Sequence, residues 1–180
     1  MTDFAASGTV GLIGGLAYVA LLATAAVTDV RARRIPNRLV VVIALSGLAY
    51  TLLAAPSLGA VGRALVAGLL GFAVWIPFYA LRMLGAGDVK LFAAASLWLV
   101  PLQVVQAALV AALVGGVLSV VGMVAGYGGG LTLLRLTHGL RRPETLMTQV
   151  GNVEGKTLPY GVAMAVGLAL AGWLPRMLGG

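Results

Sequence analysis

The chain has no cysteine, one histidine and only five acidic residues among its 180. The absence of cysteine excludes a disulfide framework, a thiolate zinc site and a cysteine nucleophile. A single histidine and so few carboxylates leave no ligand set for a dedicated metal site. Charge of either sign is scarce: Asp, Glu, Lys and Arg make up 9% of the residues against 61% hydrophobic, with a mean hydropathy of +1.04. That balance excludes a soluble globular domain and points to an integral membrane protein. The net charge of +7 does not indicate nucleic acid as a partner. The basic residues sit in short loops between apolar segments and form no basic face or recognition helix.

What is present is a series of apolar segments. Ala23-Thr24-Ala25 has the small-residue pattern of a signal-peptide cleavage site. The only charge ahead of it is Asp3, however, so there is no positive n-region, and the uncharged run from Phe4 to Thr28 is too long for an h-region. It therefore reads as a membrane helix. A helix needs about 20 apolar residues to cross the hydrocarbon core. The expected spans are Gly8 to Thr28, Pro36 to Ala54, Val61 to Leu81, Val89 to Val100, Leu102 to Ala125 and Leu158 to Leu174, with Pro36 at a first helical position. The fourth, about 12 residues rising about 18 Å, is too short to cross alone. It is expected to start inside the membrane or to tilt into a thinned region.

The fold class is thus all-α, with about six transmembrane helices, in one membrane-embedded domain over residues 1–180 that includes a polar loop over about 127–157. Within that loop, Leu131 to Arg142 reads either as an interfacial helix or as loop. Gly11 with Gly15, and Gly122 with Gly126, have the spacing of close helix packing.

Orientation follows from the basic residues. With the N-terminus outside, Arg31, Arg33, Arg34, Arg38, Arg82, Lys90, Arg135, Arg141, Arg142 and Lys156 are cytoplasmic, and only Arg63 and Arg176 of the 12 are not. Asp29 and Asp88 then both lie at the cytoplasmic ends of their helices.

A carboxylate at a membrane segment is costly and is a candidate functional group. Asp88 follows Gly85-Ala86-Gly87, and its simplest reading is an N-cap for the fourth helix. The two glycines are expected to allow a backbone shape and a close approach that side chains would block. Asp29 is expected near a helix C-terminus, either as a functional acid or as an interfacial charge offsetting Arg31, Arg33 and Arg34. Helix dipoles favour the charge on Asp88 and disfavour it on Asp29. This suggests a dyad with Asp88 ionised and Asp29 protonated, although the arginines oppose that split and a coupled pair titrates as a unit. Amide hydrolysis by two carboxylates needs one ionised to take a proton from water and one protonated to polarise the carbonyl, with no cofactor. Packing of the first span against the third is expected to bring the pair together.

The stretch Thr28-Asp29-Val30-Arg31-Ala32-Arg33-Arg34-Ile35-Pro36-Asn37 resembles the first aspartate motif of type IV prepilin peptidases. Gly85-Ala86-Gly87-Asp88-Val89-Lys90-Leu91 resembles their second, the Gly-x-Gly-Asp motif of intramembrane aspartyl proteases. Leu158-Pro159-Tyr160-Gly161 is similar to the Pro-Tyr-Gly motif that opens their last helix. The compact size and the motif wording resemble most the small tight-adherence (Flp) pilus type.

The resemblance implies an enzyme of the bacterial inner membrane that removes the leader of prepilins and pseudopilins after a glycine, at the cytoplasmic face, with Asp29 and Asp88 catalytic. Larger relatives also methylate the new N-terminus, using a cysteine-containing cytoplasmic domain. This chain has no cysteine, so cleavage alone is expected, without a methyltransferase domain. Lys90 either pairs with a substrate acid or tunes Asp88, or else snorkels to the interface. Pro159, Tyr160 and Gly161 either shape the substrate groove or simply begin a helix with an interfacial tyrosine. His138, Glu144 and Glu154 read as loop residues. Two other classes compete: a small proton-coupled transporter, disfavoured because both acids lie at one membrane face and no inverted repeat is visible, and a noncatalytic membrane subunit. The partners expected are the precursor and membrane lipid; oligomeric state is open.

Overall fold

The computed structural model describes residues 8–81, 84–124 and 160–178, with the backbone alone for 122–124 and 173–178. Among the described residues six helices follow in order: α1 Gly8–Ala32, α2 Asn37–Ala54, α3 Leu58–Ala80, α4 Ala86–Ser96, α5 Pro101–Val124 and α6 Tyr160–Leu178. Among the described residues there is no strand. α1, α2, α3 and the Pro101–Val121 part of α5 are long and apolar enough to cross a membrane, and α6 contributes the shorter apolar stretch Tyr160–Gly172. The protein is therefore an all-helical, multi-pass membrane protein. The expected polar loop, with His138, Glu144 and Glu154, and Pro159 lie outside the described residues, as does Arg82.

The helix limits follow local chemistry. α1 runs one turn beyond the expected Thr28. It ends at Arg33, whose φ of 49° breaks the helix while its N–H still reaches the Asp29 carbonyl at 2.8 Å. Pro36 is the N-cap of α2, with φ −63° and ψ 133°, one place outside the helix rather than its first residue. A proline there sacrifices no helical hydrogen bond. Ser57 caps α3 by accepting from Ala60 N at 3.1 Å. α4 is shorter and earlier than expected. Its last turn tightens, with Leu97 N on Ala94 O at 3.3 Å and Trp98 N on Ala95 O at 3.2 Å, before Pro101 opens α5.

α1, α2, α3, α4, α6 and the first part of α5 belong to one compact unit; Gly115–Leu158 belongs to a second, of which residues 115–124 are described. In the first unit α4 is the central element, packed against α2, α3 and α6, and α1 packs against α6 and α2. Phe92, Leu91, Val89 and Ala95 of α4 are almost wholly buried, while Leu12, Ile13 and Leu16 of α1 and Leu69 of α3 face outward. An apolar exterior around a packed interior is what a bilayer solvent requires. With no hydrophobic effect between helices in lipid, close packing and small residues hold them together. Gly71 lets α3 lie directly on Ser96, and Gly47 lets α2 lie on the Trp98 ring; a Cβ at Gly47 would come within 2.7 Å of Trp98 Cδ1. The hydroxyls of Thr24, Thr51 and Ser96 donate to carbonyls one turn back, at 2.8, 3.0 and 2.7 Å. They are thereby satisfied where water is absent.

Candidate active site

Asp29 lies in the last turns of α1, on its inward face, and is 7% exposed. Its Oδ2 accepts a hydrogen bond from Gly161 N at 2.9 Å. Gly161 is the second residue of α6, where backbone N–H groups have no helical partner of their own. The start of α6 thus holds the carboxylate in place. The fit depends on glycine: a Cβ at position 161 would lie 2.6 Å from Asp29 Oδ2 and 2.9 Å from Cγ.

Asp88 begins α4 in a different way from the simple N-cap expected. The cap residue is Gly85, and Asp88 stands three residues into the helix, with its Oδ2 accepting from Gly85 N at 3.3 Å. This is the acidic half of a capping box. The glycines also play a different part from the one expected. Gly85 has φ −76° and ψ 148°, a shape open to any residue. A Cβ at Gly87 would make ordinary contact with Ile35, at 3.5 Å from its Cβ. Only Gly85 is tight, since a Cβ there would sit 3.2 Å from Asp88 Oδ2.

The structure brings Asp29, Asp88, Gly85, Gly87 and Gly161 to one end of the first unit. The route differs from the packing of the first span on the third: α4 itself carries Asp88 inward, while α3 packs against α4 and α2. The two carboxylates are near enough for the Asp29 charge to act on Asp88. Burial, then that charge, pushes the Asp88 carboxyl up to about 6, against the opposing Gly85 N–H. The helix N-terminus alone therefore does not set its titration. Arg33 lies within electrostatic reach of Asp29. Lys90 is exposed, and Tyr160 is half-buried at the first position of α6. Among the described residues no three of His, Cys, Asp and Glu come together as a metal cluster.

Two features escaped the reading of motifs. The N–H of Gly161 as partner of Asp29 carries no sequence signal beyond the glycine itself. Ile35, 9% exposed, packs the α1–α2 turn beside Gly87. Its place between a cluster of arginines and a proline, as the one apolar residue there, was a usable sign.

The model of the type IV leader peptidase family matches residues 16–120, more than half of the chain and a stretch that contains both aspartates. The chain belongs to this family. Among curated proteins and among solved structures nothing matches it. Membership makes the protein a membrane peptidase of the prepilin-processing kind, with prepilins as its class of substrate.

Proposed function

We propose that the protein is an aspartyl endopeptidase that removes the leader of Flp-type prepilins after a glycine, with Asp29 and Asp88 as the catalytic pair. The observation that carries this reading is the meeting of two of the chain's few carboxylates at one end of the bundle, each held by a backbone N–H. In the proposed reaction the ionised carboxylate takes a proton from water, and the water oxygen bonds to the scissile carbonyl carbon. The protonated partner donates to the carbonyl oxygen. Collapse of the tetrahedral adduct breaks the C–N bond, and the amine leaves with a proton from the dyad. No covalent intermediate and no cofactor take part. With its carboxyl raised to about 6, Asp88 is largely ionised at neutral pH and serves as the base, and Asp29 is its partner in the dyad.

The basic loops support an N-terminus outside and a site at the cytoplasmic face of the inner membrane. A single peptidase domain without a methyltransferase segment fits the absence of cysteine. The apolar segment of the precursor would enter sideways from lipid, placing its leader junction at the dyad. Gly85, Gly87, Lys90, Tyr160 and Gly161 shape the site around it. Co-expression with a Flp-type prepilin, read by mass spectrometry of the pilin, tests the reading. A new N-terminus immediately after glycine, unmethylated, is expected. A pilin left at precursor mass by the native chain, yet cut by another family member in the same cells, contradicts it.

A further inference from the structure

Trp98 lies two residues beyond α4 and is 2% exposed. Its ring stands between two tyrosines: Tyr18 of α1, with centroids 5.3 Å apart and planes tilted by 35°, and Tyr50 of α2, 5.3 Å away and nearly parallel at 18°. Its Nε1 donates to the Ile43 carbonyl of α2 at 2.9 Å. Gly47 leaves room for the indole, and Gly14 of α1 does the same for the Tyr50 ring. The three rings therefore join α1, α2 and the end of α4 at one level of the bundle. Buried aromatic contacts of this kind have restricted geometry, and an indole N–H out of water needs its acceptor. Trp98 is thus fixed in rotation and in height.

The aspartates lie farther along two of these elements, α1 and α4. From Tyr18 to Asp29 is 11 residues along α1, a rise of about 16 Å, and from Asp88 to Trp98 is 10 residues along α4 and its last turn, a rise of about 15 Å. α1 and α4 run in opposite directions between these two levels, since Tyr18 touches Trp98 and Asp29 acts on Asp88. The two lengths differ by only about the rise of one residue, about 1.5 Å. Between the levels α1 and α4 have little backbone contact to hold their register, because α1 leans on α6 and α2 instead.

We infer that Trp98, gripped by Tyr18, Tyr50 and the Ile43 carbonyl, is a positioning residue that sets the axial register of α4 against α1 and so places Asp88 level with Asp29. The inference rests on the proposed catalytic pair. It goes further in assigning the distance between the two acids to an aromatic bolt about three turns away.

The test uses the full-length protein in membranes, and its lack of native cysteine makes spin labelling direct. Val30→Cys and Ala86→Cys, both at exposed positions beside the acids, are labelled, and the distance is measured by pulsed electron paramagnetic resonance. Prepilin cleavage is followed in parallel without labels. With Trp98→Ala and Trp98→Phe, the distance distribution is expected to broaden or shift by up to about one helical turn, about 5 Å. kcat is expected to fall at least tenfold for Trp98→Ala while KM changes less than threefold. Gly47→Ala, which crowds the indole from α2, is expected to shift the distance too. If Trp98→Ala does not accumulate in the membrane, Trp98→Phe and Gly47→Ala decide the matter. An unchanged distance with normal kcat in the variants that accumulate overturns the inference. A shifted distance with native kcat overturns it as well, since register would then not govern the pair. Cleavage that persists in Asp29→Asn would instead overturn the catalytic reading, and the distance measurement remains valid without it.

Discussion

At the scale of single residues the contrast between two glycines is the sharpest consequence of the structure. Gly161→Ala pushes a methyl against the Asp29 carboxylate, 2.6 Å from Oδ2, and disturbs the backbone bond that holds it. Cleavage is expected to fall by at least about tenfold, the scale on which a misplaced catalytic group costs rate. Gly87→Ala places its Cβ in ordinary contact with Ile35 and is expected to keep most activity in the same assay. Equal loss in both variants would contradict the geometry. Acidity gives a second prediction. The Asp88 carboxyl is raised to about 6 by burial and by Asp29, so the base is lost as pH falls through that value. The rate of prepilin cleavage is expected to decline on the acid side with a midpoint near 6, instead of near the ordinary carboxylate value of about 4. For stability the sign is opposite. Because the folded state binds this proton more tightly than the unfolded chain, the ionisation of Asp88 costs stability as pH rises from about 4 to about 6. Asp88→Asn, which keeps an acceptor for Gly85 N, is expected to melt no lower than the native protein at pH 7.5 in detergent, while losing activity.

At the scale of elements, the sequence showed where helices lie more readily than where they stop. Apolar runs mark the crossing segments because lipid demands them, and the limits agree to within a few residues. The misses concern α1 and α4, the two that carry the acids. Charge at Asp29 and Arg31 ends a hydropathy run but not a helix, so α1 continues to Ala32, until Arg33 adopts φ 49°. α4 begins at Ala86, ahead of Asp88, because Gly85 serves as cap and Asp88 answers it from the third position. Cap position depends on backbone geometry that a hydropathy reading does not contain. The partner of Asp29 was illegible for a related reason. A backbone N–H 132 residues away leaves no mark on composition or spacing, whereas the acids themselves stood out by rarity. The α3–α4 contact supplies a prediction of its own. Gly71→Ala sets a methyl into Ser96 Oγ and within 2.9 Å of Ser96 Cβ. Such overpacking typically costs about 1–3 kcal/mol, to be seen as a lower melting temperature in detergent, with Asp29 and Asp88 both intact.

At the scale of the whole molecule, the first unit places two carboxylates together in an otherwise apolar bundle. The outward faces of α1, α2, α3 and α5 are rich in exposed leucine and valine, suited to lipid, and the carboxylates are drawn inward to where backbone donors await them. A relay for protons in a transporter would place such acids towards the midplane. Here they lie near the end of α1 and at the start of α4, as the proposed cleavage at the leader junction requires. The most direct test of the account is cleavage of a Flp-type prepilin by the purified protein in liposomes, comparing the native chain with Asp29→Asn and with Asp88→Asn at equal amounts of inserted protein. Each single substitution is expected to reduce the rate by at least about a hundredfold, the lower bound for loss of a general acid or base. Native-like cleavage by either variant would contradict the two-aspartate mechanism.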